Sequence, residues 1–363
     1  MTSSTDTISG TGTKSTEIKE QYKKFVGRKI LFIFFSLILI FIIAGVAATL
    51  GSANITFLET YSTILHRFFP DHFHTRWLAE VCVWQLRLPR ILMGILAGMG
   101  LAIAGTMLQG ILRNPLASPF TLGIASGAGF GAALAIILSA GFVADEYLII
   151  GNAFVFALIP TFVIIGLTRY RRATPETMVL AGIAMLYIFG AATTLIEYFA
   201  EAEEVKMAVF WMVGSLGGVL WKDLLPVSIV LAVCVPMLMW KSWDINVMGA
   251  GDETAKSLGV NVERTRIFIL LVATLLTAGI ISFVGSIGFI GLVAPHMCRM
   301  VIGGDNRFLI PASGLFGAAL LLGADTIART IIAPVILPVG VITAFMGGPL
   351  FLYLIMRRKR EYW

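Results

Sequence analysis

Lys256-Ser257 is the place in this sequence that comes nearest to a cradle for nucleotide phosphates. Such a loop, G-x-x-x-x-G-K-[ST], wraps phosphates with glycine N–H groups, neutralises them with the lysine and holds magnesium with the hydroxyl. Both glycine positions are alanine here, Ala250 and Ala255, so the cradle fails. The run Gly127-Ala128-Gly129-Phe130-Gly131-Ala132 has dinucleotide-like glycines but lies in an apolar stretch with no strand before it. His72 and His74 could ligate a metal, yet no further ligand stands at a suitable spacing, and they read as part of a solvated loop with His66. His296, after Pro295 in an apolar run, reads as a hydrogen-bonded structural histidine. Cys82, Cys234 and Cys298 are scattered, without CxxC or Cys/His zinc spacing. No nucleophile stands beside a base. The expectation is a chain that is not an enzyme and binds no metal or cofactor; if ATP and magnesium are used, a partner supplies the site.

The elements that carry these residues are spanning helices. Of 363 residues, 58% are hydrophobic and 13% charged, against roughly 45–50% and 25% in soluble domains. The apolar runs are continuous rather than alternating, which favours helices over a barrel. Ten spans are expected, at about 30–50, 91–111, 119–140, 148–168, 178–199, 222–240, 265–284, 286–302, 308–327 and 338–356. The break near Gly285 decides between ten spans and nine. Residues 1–28 are polar and lack the layout of a cleavable signal; a partly disordered cytoplasmic tail is expected, followed by a transmembrane domain over 29–363.

Charge orients the chain. With the N-terminus inside, 20 of the 27 Lys and Arg fall on inner segments and 7 on outer ones, so both termini are placed in the cytoplasm of a multi-pass plasma or inner-membrane protein. The basic residues border membrane rather than form a groove, which excludes nucleic acid. Outer segment 200–221 is too apolar for a free loop; Phe210 to Leu216 reads as a short helix at the outer interface. The small residues Gly94, Ala97, Gly98, Gly100 and Gly105 on the second span read as a face for close helix packing. Asp325, Glu197 and Arg299 lie near span ends, leaving most span centres uncharged. An ion-coupled secondary transporter, the alternative reading, would place charge at those centres.

An ordered series of motifs runs through the spans. It begins with Arg87-Leu88-Pro89-Arg90, then Gln109 to Pro119 (QGILRNPLASP) with Thr121-Leu122-Gly123, then Leu180-Ala181-Gly182 and FWMVGSL at 210–216. It continues with the inner stretch Gly251-Asp252-Glu253-Thr254-Ala255-Lys256-Ser257-Leu258-Gly259-Val260, then Phe289 to His296 and Gly304-Asp305-Asn306-Arg307. It ends with Ala324 to Arg329 and Leu337 to Val341. Taken in order, this set resembles the FecCD family of ABC permeases, importers of ferric siderophores, haem and vitamin B12, over about 87–356.

The resemblance implies an all-α, ten-span subunit of the type II importer fold. It implies that a second copy, two ABC ATPase subunits and an extracytoplasmic binding protein are its partners. The substrate would be a metal chelate, a ferric siderophore first, with corrinoid and haem close behind, carried through the lipid bilayer. By the same resemblance the inner loop 241–266 forms two short helices that dock on the ATPase, with Gly251, Asp252, Glu253, Ala255, Leu258 and Gly259 as the coupling residues. Arg87, Arg90 and Arg329 match the arginines that hold acidic residues of the binding protein; Asp325, four residues before Arg329, stands at pairing distance on a helix. The Asn114-Pro115-Leu116 turn and the Thr174-Pro175-Glu176 turn are expected near the cytoplasmic gate, the second departing from the small polar residues of the pattern.

Overall fold

The structure, a computed structural model, describes residues 9–51, 53, 55–143, 147–168 and 174–356. Arg169, Arg171, Arg172 and the basic residues at 357–360, counted above on the inner side, lie outside the described residues, as do positions 1–8. The regular structure of the described residues is all helical, with no strand among them.

Seven helices are long and apolar enough to cross a membrane, and three shorter apolar helices, Ile124–Leu138, Ile290–Ile302 and Val339–Tyr353, accompany them. These ten are the expected spans. Helix α1 (Ser9–Thr49) is continuous across residue 28. Outside, α2 (Phe57–His66) and the short α3 (Trp77–Glu80) precede a π-helical stretch, Val81–Arg87, that runs into α4 (Leu88–Leu112). The second span therefore begins at Trp77 rather than near residue 91. Arg87 and Arg90 resemble boundary charges in the sequence, but both are buried inside this helix.

Four further helices follow: α5 (Ile124–Leu138), α6 (Leu148–Thr168), α7 (Pro175–Tyr198) and α8 (Ala202–Val213). Helix α8 begins earlier than the Phe210–Leu216 reading and stops at Gly214, whose φ of 82° turns the chain back into the core at the buried Leu216. Beyond α9 (Trp221–Trp240) come two short helices, α10 (Ser242–Met248) and α11 (Asp252–Ser257), then α12 (Val262–Val284). The break at Gly285 is real: its φ is 72°, Ser215 N donates to Val284 O at 2.8 Å, and α13 (Ile290–Ile302) starts only after Phe289. Helices α14 (Asn306–Thr330) and α15 (Val339–Met356) complete the bundle.

Lipid is as apolar as leucine, so helices in a membrane gain little by hiding apolar area from one another; close backbone contact has to hold them. Helix α4 is the axis of that packing, buried along nearly its whole length. A Cβ built on Gly98 would lie 2.5 Å from Gly317 O, and one on Gly317 would lie 2.7 Å from Gly98 O, so α4 and α14 touch backbone to backbone. Gly105 meets the backbone of Gly291 on α13 in the same way. The small-residue face read from the sequence is this packing face.

Gly98→Val should therefore force α4 and α14 apart and lower the thermal midpoint in detergent, at a cost of about 1–3 kcal/mol or more. Gly323→Ala, on α14 but with nothing within 4 Å of its would-be Cβ, should leave the midpoint unchanged or raise it by about 0.5–1 kcal/mol. Equal effects would refute the close-contact account.

Candidate functional site

Two polar constellations stand out in this apolar bundle, one at the end the charge count places outside and one at the inner end. The outer one centres on Asp325, which is 0% exposed. Arg90 Nε donates to both of its oxygens at 3.0 Å and Arg90 Nη2 donates to Oδ1 at 2.8 Å. Arg329, one turn further along α14, donates from Nε to Oδ2 at 3.1 Å, the i,i+4 pair read from the sequence. The remaining donors find the end of α1. Arg329 Nη2 donates to Ala47 O at 3.1 Å and Nη1 to Leu50 O at 3.2 Å; Arg87 Nη1 donates to Ala48 O at 2.7 Å and Thr49 O at 3.1 Å. The last carbonyls of a helix have no intrahelical partner and carry its negative end. Here two guanidiniums cap them.

Arg87, Arg90 and Arg329 are each 6% exposed and bonded within the subunit. The cluster nevertheless holds three cations against one carboxylate, the balance being met by carbonyl dipoles. The exposed cations of the outer segments lie elsewhere, such as Arg76, which pairs with Glu59 (Nη2 to Oε2, 2.7 Å). His72 and His74 are both exposed there.

The inner constellation is built on the loop 241–266. Gly251, with φ of 113°, and Gly259, with φ of 85°, bound α11 at conformations that favour glycine. Ala255 is fully buried against Met248 and Val262, which holds α11 on α10 and α12. Glu253 and Leu258 face outward; Glu253 pairs only with its neighbour Lys256, at 2.7 Å. Asp252 does the opposite and turns inward. Its Oδ1 accepts from Arg113 Nη2 and from Arg266 Nη2, each at 2.8 Å, and Oδ2 accepts from Arg266 at 3.0 Å. Of the six coupling residues, then, two face solvent, two form turns and two pack on the body.

Helix α10 is fixed by residues that the sequence reading did not assign a role. Asn246 Oδ1 accepts from Asn306 N and Nδ2, both at 2.8 Å, while Asn246 Nδ2 donates to Asp305 Oδ1 at 2.9 Å. Arg307 Nη2 donates to Asp305 Oδ2 at 2.7 Å, and Lys29 of α1 reaches the same oxygen at 3.4 Å. Burial alone would raise the Asp305 pKa, but the bonds from Arg307 and Asn246 and the charge of Lys29 outweigh it and hold the carboxyl well below its usual range. The Gly304-Asp305-Asn306-Arg307 motif was visible in the sequence; its partner on α10 was not.

The two gate segments also differ from each other. Asn114 Oδ1 accepts from Leu116 N at 2.9 Å, closing a tight turn that leaves Leu116 exposed. Gln109 Nε2 clamps that turn by donating to Pro115 O at 2.9 Å and to Leu292 O at 3.2 Å. Thr174, Pro175 and Glu176 are not a turn but the start of α7: Thr174 is the N-cap, accepting from Thr177 N at 3.3 Å, Pro175 is in the first turn and Glu176 meets the positive helix end. Glu176 is exposed, and its carboxyl is held below the usual range by a backbone hydrogen bond at the helix start and by the Thr174 hydroxyl.

Asp325→Asn removes the carboxylate that two buried guanidiniums share, and should cost about 3–5 kcal/mol, seen as a large drop in thermal midpoint. Asp325→Glu should recover part of it. Asp305→Asn should destabilise at neutral pH. Because the folded pKa is depressed, this contribution is present above the unfolded carboxylate value and is lost only as pH falls through the folded one. The gap between variant and wild type in thermal midpoint should therefore close only in strong acid.

Comparison with known proteins agrees with this architecture. The model of the FecCD transport family matches residues 36–357. A chain of Methanocaldococcus jannaschii assigned as an ABC transporter permease is 46% identical over 357 residues, covering 95% of this chain and 99% of its own. The hemin transport system permease of Yersinia pestis is 38% identical over 330 residues, covering 90% of this chain and 96% of its own. A solved inward-facing structure assigned to the metal-chelate type of ABC transporter superposes with a TM-score of 0.78 at 29% identity, covering 90% of this chain and 99% of its own. The chain belongs to the FecCD transport family.

Proposed function

We propose that this member of the FecCD transport family is the membrane-spanning permease of an ATP-driven importer for a metal chelate. The observation that carries the reading is the inner loop: two short helices, rigidly seated by Asp305, Asn246 and Asp252, with Glu253, Lys256 and Leu258 left on the outward edge of α11. A chain without a phosphate loop gains nothing from so firmly braced an exposed edge unless another protein pushes on it. Two ABC ATPase subunits, binding ATP and magnesium themselves, are the partners that fit.

A second copy of the chain completes the path. Leu180, Ile183, Tyr187, Ile188, Leu195 and Tyr198 form an exposed stripe along α7 at helical spacing, and a twin stripe across a two-fold axis would enclose a passage with few charges. Such a passage suits a bulky chelate: a ferric siderophore, with a corrinoid or haem as the alternatives. The hemin permease and the metal-chelate transporter among its relatives support that class. At the outer end a binding protein would deliver the chelate. The three arginines around one carboxylate have charge to spare, and an incoming carboxylate could replace the carbonyls of Ala48 and Thr49 at Arg87.

An ion-coupled transporter remains the other class of reading, and Asp325 speaks against it. It is the fully buried carboxylate among the described residues, and two guanidiniums hold it, which leaves no room for a proton or sodium cycle.

Glu253→Arg with Leu258→Glu should strip the ATPase subunits from the purified complex and abolish ATP-dependent uptake in proteoliposomes, with little change in thermal midpoint. Uptake of the chelate by the chain alone, driven by a proton or sodium gradient, would overturn the proposal. Uptake assays with each candidate chelate on its binding protein would decide the substrate.

A further inference from the structure

We propose that Asp252 is a positioning residue, a linkage that converts movement of α11 into movement of the gate turn, and not part of the face offered to the ATPase. The inference rests on the importer reading above and specifies how force would enter the membrane domain.

The geometry is a short chain of contacts. Asp252 opens α11, immediately after Gly251. Its carboxylate is gripped from two sides, by Arg113 and by Arg266. Arg266, on the first turns of α12, is 2% exposed, and its Nε donates to Ile111 O at 3.1 Å, in the last turn of α4. Arg113 is the residue that ends α4, in the left-handed region with φ of 46°. That conformation is costly for a side chain with a Cβ. Asn114, the next residue, opens the turn that carries the exposed Leu116. From the coupling helix to the gate turn there are thus two steps, Asp252 to Arg113 and Arg113 to Asn114.

A displacement of α11 that loosens Asp252 from Arg113 leaves the carboxylate on Arg266 alone. The exchange of partners is a two-position device of the kind that couples sites through discrete arrangements rather than through continuous bending. Glu253 and Lys256 form their own exposed pair.

The test uses the full transporter with its ATPase subunits and binding protein in proteoliposomes. In Asp252→Asn the ATPase should still copurify, while chelate transported per ATP hydrolysed should fall about tenfold, the size of an ordinary coupling between sites. Asp252→Glu should recover part of the loss. Arg113→Gln, on a partly exposed side chain of the membrane domain, should show the same loss, and the double variant should be no worse than either single one, as expected for residues acting as one unit. Loss of ATPase copurification in Asp252→Asn, with Arg113→Gln normal, would overturn the linkage and make Asp252 an ATPase contact. Strictly additive losses would overturn it as well. If Asp252→Asn fails to fold, Arg113→Gln decides: normal coupling in that variant refutes the proposal and uncoupling supports it. Failure of the wild-type chain to copurify any ATPase or to show ATP-driven uptake would instead refute the importer reading.

Discussion

Asp325, sealed from solvent between Arg90 and Arg329, joins three helices that are remote in the sequence. Arg90 comes from α4, the axis of the bundle, and Asp325 from α14, the helix packed most intimately against it. The donors left over close the end of α1. Buried ion pairs often contribute little net stability, because taking the charges out of water costs as much as their attraction returns. Their value lies in register. The glycine contacts let α4 and α14 approach closely, and would tolerate small slides; a bidentate guanidinium–carboxylate bond would not.

The same device recurs at the inner end with a different purpose. Asp305 and Asp252 each collect several donors from separate elements, and between them they seat α10 and α11 on the membrane helices. The outer cluster is wholly enclosed. The inner clusters are partly open: Asp252 and Arg113 retain about a quarter to a third of their side-chain exposure, where water can assist an exchange of partners. A bundle that must open and close needs one end fixed in register and the other able to change partners, and the distribution of burial follows that division.

Much of this was legible in the residues. The ten apolar segments, the glycine face of α4 and the Asp325–Arg329 pair follow from local spacing, and the pair of short inner helices from the family resemblance. What escaped has a common cause. Arg90 and Asp325 are 235 positions apart, and no local rule joins them, so Arg87 and Arg90 read as charges at a membrane boundary and the helix start was placed too late. Asp252 and Glu253 are adjacent and both acidic, yet one faces the body and the other solvent, a difference set by Arg113 and Arg266 on other helices. Thr174 and Pro175 looked like a turn because N-cap and first-turn chemistry uses the same residue types as turns do.

The separation of Arg90 from Asp325 also has a consequence for how the chain is made. Synthesis proceeds from the N-terminus, so α1 and α4 emerge long before α14. At about 5–20 residues per second, the 235 intervening positions take roughly 10–50 seconds to appear. Throughout that interval Arg90 has no carboxylate, and a bare guanidinium in hydrocarbon is expensive. Arg90 must wait at the outer boundary or inside the insertion machinery, while Arg87 already has the α1 carbonyls. Arrival of α14 is then what lets α4 settle to its final depth, which makes the ninth apolar helix, rather than the first, the step that commits the bundle to its shape.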